Sequence, residues 1–141
     1  MKTVCIIPSR YESSRFPGKP LADLCGKPMI QHVYERVLQA ASVSQAAVAT
    51  DDERIFRAVE AFGGRAVMTA ARHRSGTDRI AEAVEILGVA DTAIVVNIQG
   101  DQPLFAPIQV NEVVAPLLAD PSCPMSTLVY RIVRDEEITH P

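Results

Sequence analysis

The stretch IIPSRYESSRFPGKPL, Ile6 to Leu21, decides how the rest of the chain is read. Val4, Cys5, Ile6 and Ile7 form a short continuous apolar run, the pattern of a strand buried on both faces. Pro8 lacks a backbone donor and is expected to end that strand's ladder. The following residues then form a loop at the strand's carboxyl end, the edge along which open α/β sheets collect ligands. Arg10, Arg15 and Lys19 stand on this loop, where they can close around a polyphosphate from several sides. Gly18 lets the backbone come close, and Pro17 and Pro20 stiffen the loop. The competing reading is a solvated basic loop. The coincidence of strand, prolines, glycine and three cations favours an anion site.

Working outward, the periodicity switches repeatedly between strand and helix. Met29, Ile30, Val33, Val37 and Leu38 recur at spacings of three and four and predict a helix opening after Pro28. Ala46 to Thr50 reads as a second strand. Ile55, Phe56, Val59 and Phe62 mark a helix capped by Asp51 or Asp52 and stopped at Gly63 and Gly64. Arg65 to Thr69 is a short third strand. A third helix carries Ile80, Val84 and Leu87 and ends at Gly88. Ala93 to Ile98, with consecutive β-branched residues, reads as a central parallel strand. Val110, Val113, Val114, Leu117 and Leu118 predict a fourth helix closed by Asp120 and Pro121, and Ser126 to Val133 a last strand. This alternation implies an α/β fold, an open, mainly parallel, Rossmann-like sheet with helices on both faces. Because that last strand runs into RDEEITHP without a closing helix, the fold is expected to be truncated, with 1–141 the nucleotide-binding part of one domain.

A chain of 141 residues, 48% apolar and of net charge -3, suits one globular domain and gives no support for nucleic-acid binding, which favours a basic face. Three cysteines, Cys5, Cys25 and Cys123, show no zinc spacing and fit a reducing compartment. No charged leader and no apolar stretch of about 18 residues is present, so a soluble, cytoplasmic protein without a membrane partner is expected. The sequence contains no G-x-G-x-x-G, Walker A or G-x-S-x-G run, which argues against a dehydrogenase, a P-loop kinase and a serine hydrolase.

Two further constellations fall at strand ends. Gln99, Gly100 and Asp101 follow the strand at Ala93 to Ile98. A carboxylate there can hold Mg²⁺, which takes few protein carboxylates and keeps waters and phosphate oxygens, and the Gln99 amide offers a further oxygen. A simple turn before Pro103 is the alternative. His73, Arg74, Ser75, Gly76, Thr77, Asp78 and Arg79 lead into the third helix. Ser75 or Thr77 can cap it, and its amino terminus offers N–H groups to an anion or to the polar edge of a base. ATDD, Ala49 to Asp52, also ends a strand at that edge, as a site element or as a helix cap.

IIPSRYESSRFPGKPL, followed by GKPMIQHV, ATDD, HRSGTDR and NIQGDQPL, resembles the 3-deoxy-manno-octulosonate cytidylyltransferase (CMP-Kdo synthetase) family, in order from Lys2 to about Pro141. The resemblance implies a nucleotide-diphospho-sugar transferase-like fold and a chain about twice as long, of which this is the amino-terminal half. It implies transfer of CMP from CTP to 3-deoxy-manno-octulosonate (Kdo), with release of pyrophosphate, for lipopolysaccharide biosynthesis. Arg10, Arg15 and Lys19 would hold the β- and γ-phosphates, Asp101 would bind Mg²⁺ with a second aspartate absent here, and Arg74, Ser75, Thr77 and Gln99 would serve the nucleotide. Gln102 stands where the commoner family form has Glu. The resemblance also implies a homodimeric parent. The alternatives are CMP transfer to a related acidic sugar and a nucleotide-binding fragment without catalysis; the 141-residue chain alone is expected to be inactive.

Overall fold

The computed structural model describes residues 1–12, 16–129, 131 and 133. Its centre is β1, Thr3–Ser9, every residue of which is buried. β1 pairs in parallel with β4, Gln45–Thr50, on one side and with β6, Ile94–Asn97, on the other. β5, Ala66–Met68, extends the sheet beyond β4, giving the order β5-β4-β1-β6. Between β1 and the first helix lie a 3₁₀ turn, Lys19–Leu21, and a small antiparallel hairpin of β2, Asp23–Leu24, and β3, Lys27–Pro28. Cys25 and Gly26, both with positive φ, turn that hairpin.

Apolar faces place the helices. Met29, Ile30, Val33, Tyr34 and Val37 form the buried stripe of α1, Met29–Val37. Ile55 and Val59 bury one side of α2, Glu53–Ala61, and Val110 and Val114 one side of α4, Pro107–Ala119. These three helices share one core with Cys5, Ile7, Val48 and Val96. On the opposite face Ile80 and Ala83 of α3, Gly76–Ile86, pack on Val4, Ile6, Ala47, Ala49 and Val67. Each fully buried Ile or Val contributes about 1.5–3 kcal/mol, so β1, supplying both cores, is the element the fold can least lose. The expected parallel α/β sheet with helices on both faces is the observed one.

Four details differ from the sequence reading. Pro8 does not end the ladder: it lies inside β1, in register with Ala49. The Ile6 carbonyl accepts from Ile98 N–H at 3.3 Å, so even-numbered β1 residues face β6, and Pro8 turns its missing donor past the end of that pairing. β6 is not central. It is the outer strand of the described sheet, with Val95 39% exposed between buried Ile94 and Val96; β-branched residues suit a half-covered strand as well as a covered one. Leu38 ends α1 outside the core. Residues Ser126 to Val129 form no strand, and the rest of that expected element falls largely outside the described residues.

Candidate functional site

The carboxyl ends of β1 and β6 and the amino terminus of α3 enclose a cleft of about 650 Å³. Arg10, Lys19, Gln99 and Asp101, taken from the sequence as site residues, all line it. The loop after β1 is folded back by Gly18, whose N–H donates to the Tyr11 carbonyl at 2.8 Å and whose φ is +72°. A Cβ there would lie 3.0 Å from the Tyr11 ring, so only glycine fits. The Arg54 guanidinium stacks on that ring, 3.2 Å from its centroid. Arg54 is held by both oxygens of Asp52, at 2.9 and 2.6 Å, and this hydrogen bonding keeps the Asp52 carboxyl below the usual aspartate range. Asp52, rather than Asp51, caps α2 by accepting from Arg54 N–H.

Across the cleft, Lys19 Nζ donates to Asp101 Oδ2 at 2.9 Å, joining the two loops that carry the expected phosphate and metal groups. Both side chains are about half-exposed, so the pair is screened and weak. Gly100 makes the turn between Gln99 and Asp101 possible at close range: a Cβ on it would meet Ser9 Oγ at 3.0 Å and the Pro8 carbonyl at 3.2 Å. Gln99 Nε2 donates to Asn97 Oδ1 at 3.0 Å, which holds the amide at the cleft wall. Among the described residues no group of three or more His, Cys, Asp or Glu gathers to hold a metal. Asp101 and Glu12 are the carboxylates that line the cleft among the described residues, a sparse oxygen set suited to Mg²⁺ that keeps waters and phosphate oxygens and unsuited to a structural zinc.

The α3 end of the cleft is built differently. Ser75 is the N-cap: its Oγ accepts from Asp78 N–H at 3.1 Å and donates to Asp78 Oδ2 at 2.7 Å. Its side chain is thus used within the helix. Arg74, Ser75 and Thr77 are exposed and do not line the cleft, whereas Gly76 and Arg79 do. Arg15 lies outside the described residues. The loop before α3 is tied down by Glu82, which accepts from Ala70 N–H at 2.8 Å and bonds His73 Nε2.

Two features escaped the sequence reading. Arg79, 1% exposed, donates to Asp51 Oδ2 at 2.8 Å and to Thr69 Oγ1 at 2.5 Å, linking ATDD to HRSGTDR. The signal was a strand-end Asp and a helix-first-turn Arg, with nothing in sequence spacing to pair them. Ser9, at the end of β1, lines the cleft with a buried Oγ that has no hydrogen-bond partner among the described residues. Cys5, by contrast, is inert: burial pushes its thiol up to about 12.

A cytidylyltransferase family profile matches residues 4–141. A 3-deoxy-manno-octulosonate cytidylyltransferase from Syntrophus aciditrophicus is 75% identical over 99% of this chain and 56% of its own length. An 8-amino-3,8-dideoxy-manno-octulosonate cytidylyltransferase from Shewanella piezotolerans is 51% identical over the whole chain and 58% of its own. A solved CMP:2-keto-3-deoxy-manno-octonic acid synthetase complexed with CTP matches with a TM-score of 0.83 and 51% identity, over 88% of this chain and 50% of that one. The chain therefore spans about half the length of the relatives it matches. From the profile across nearly its whole length, with the cleft at the strand ends, the chain belongs to the cytidylyltransferase family.

Proposed function

We propose that the chain is the nucleotide-binding part of an enzyme that transfers CMP from CTP to Kdo, giving CMP-Kdo and pyrophosphate for lipopolysaccharide synthesis in the cytoplasm. The observation that carries the reading is the convergence of Arg10, Lys19, Gln99 and Asp101 on one cleft, in a chain 75% identical to a relative of that name. The 8-amino sugar is the weaker reading, since its relative is 51% identical.

Phosphoryl transfer of this kind rests on positioning and charge stabilisation, so no covalent nucleophile is needed. Arg10 and Lys19, with Arg15 as a sequence-based third cation, hold the β- and γ-phosphates and stabilise the leaving pyrophosphate. Asp101 holds Mg²⁺, assisted by the Gln99 amide oxygen. When bound, Mg²⁺ neutralises charge on the triphosphate and on the departing group. For Asp101 to take this role its ion pair with Lys19 opens, and Lys19 turns to a phosphate oxygen. The α3 end, with Gly76 in the wall, reads the cytosine, Arg74, Ser75 and Thr77 being its sequence-based candidates. Kdo binding, a second metal carboxylate and homodimer formation belong to the length that the relatives have beyond this match, and the 141-residue chain binds nucleotide without completing the transfer.

The test is pyrophosphate release with CTP, Kdo and Mg²⁺, comparing this chain with the full-length Syntrophus relative. Kdo-dependent release by the relative, with CTP binding but no release by the chain, is expected. Release by the chain at the relative's rate, or no CTP binding by the chain, contradicts the reading.

A further inference from the structure

Arg79 is the most deeply buried charged residue among the described residues; part of it lines the cleft, but its guanidinium is committed to protein acceptors, and no step of the proposed transfer uses it. It leaves the first turn of α3 and reaches the ends of two strands. Its Nη2 donates to Asp51 Oδ2, directly after β4, and its Nη1 to Thr69 Oγ1, directly after β5. Thr69 is fixed in turn, since its Oγ1 donates to the Thr50 carbonyl at 3.1 Å and its N–H to the same carbonyl at 2.8 Å. Thr69 is therefore a fixed acceptor, and with Asp51 it gives the fork its seat. A planar guanidinium that bonds two acceptors sets direction as well as distance.

What this seat controls is the wall of the cleft. Gly76, three residues before Arg79 on the same helix, faces Pro8 and Gln99: a Cβ on it would lie 3.3 Å from Pro8 Cγ and 3.9 Å from Gln99 Nε2. A side chain at this position would press on Pro8, so the helix end approaches β1 to within about a methyl group. A small shift of the α3 amino terminus toward β1 would close the cleft, and a shift away would separate Gly76 from Gln99. The phosphate end does not share this support, because Lys19 and Asp101 are joined across the cleft by their own ion pair.

We propose that Arg79, seated on Asp51 and Thr69, is a positioning residue for nucleobase selection: it fixes the height of the α3 wall and leaves the grip on the phosphates unaffected. This rests on the reading of the cleft as a cytidine nucleotide site. Arg79 is buried, Asp51 is partly buried, and the fork bonds both acceptors, so replacing Arg79 by Lys keeps the charge against Asp51 but loses the fork.

The experiment measures the affinities of CTP, UTP and inorganic tripolyphosphate, each with Mg²⁺, for the wild-type chain and for Arg79→Lys and Asp51→Asn, with thermal melts alongside. Expected for Arg79→Lys is a loss of about tenfold in CTP affinity, the value of one charged hydrogen bond, a narrowed CTP-to-UTP ratio and unchanged tripolyphosphate affinity. Asp51→Asn, which removes the negative charge opposite Arg79 while keeping one acceptor oxygen for the fork, should show the same pattern more weakly. CTP and tripolyphosphate affinity falling together would place Arg79 on the phosphates, and a lowered melting temperature with an unchanged CTP-to-UTP ratio in both variants would reduce it to a structural strut; either overturns the inference. Wild-type protein that binds CTP no better than UTP would remove the cytidine site itself, and the inference with it.

Discussion

On the proposed reading the two ends of the cleft hold one ligand by opposite means. At the phosphate end the charges are exposed and paired loosely, as in the Lys19–Asp101 contact with side chains 38% and 52% exposed. At the α3 end the governing charge, Arg79, is 1% exposed and bonded to Asp51 and Thr69. Exposed ion pairs are worth about 0.2–1 kcal/mol and exchange partners at little cost. Buried, hydrogen-bonded pairs resist rearrangement, because separating them leaves an uncompensated charge in a poorly solvating interior. A triphosphate with its metal needs groups that can let go of one another and turn to the ligand, whereas a base is chosen by a wall that does not move.

The sharpest way to break this comparison is Arg79→Met. Removing one partner of a fully buried pair costs about 3–5 kcal/mol; because Asp51 is partly exposed, urea unfolding should show a loss of up to about 3 kcal/mol. A loss near that of a surface substitution would place Arg79 with the loose end of the cleft. Arg10→Ala should leave unfolding almost unchanged while weakening CTP binding by about 10–150-fold, the worth of a charged hydrogen bond. Calorimetry with unaltered affinity would remove Arg10 from the phosphate grip.

A smaller effect sharpens the description of the exposed end. Lys19→Met frees Asp101 Oδ2, so Mn²⁺ binding without nucleotide, followed by electron paramagnetic resonance, should tighten by up to about fivefold. Lys27→Met carries the same charge change but bonds Glu35 rather than Asp101; an equal tightening there would make the effect one of net charge alone. The smallest effect concerns Glu82. The Ala70 N–H and, next, His73 hold its carboxyl below the usual 4.5, with Arg72 adding to the same side. A lowered folded value means stabilisation that is complete above the unfolded value and is lost as pH falls through the folded one. Acidification below about 4.5 should therefore release the loop before α3, seen as faster Ala70 amide exchange in wild type. Glu82→Gln should lack this acid-dependent step.

The difference between the ends also explains what could be read in advance. Arg10, Lys19, Gln99 and Asp101 adjoin the apolar runs that became β1 and β6, so locating the strands located them. Strand and helix periods were equally legible, because Ile30, Val33 and Val37 or Ile80, Val84 and Leu87 repeat with the helix itself, although Ala83 rather than Val84 is the fully buried residue of α3. Sheet order was not, since β6 carries the same β-branched residues at an edge that it would carry in the middle. Nor was the Asp51–Arg79 seat, which joins positions 28 apart through the packing of α3 on β4 and β5. Ser75 was ambiguous in sequence between cap and ligand, and the structure uses its hydroxyl as a cap.

The central claim, that nucleotide binds at the carboxyl ends of β1 and β6 against α3, is tested most directly by an amide NMR titration of the 141-residue chain with CTP and Mg²⁺. A second cleft, lined by Lys2, Gln45, Arg65 and Leu87, lies at the opposite ends of the strands and provides an internal control. The account predicts saturable shifts at Ser9, Gly76, Gly100 and Asp101, with tripolyphosphate reproducing those at Asp101 but not those at Gly76. Shifts confined to Lys2, Gln45, Arg65 and Leu87, or none that saturate, would contradict it.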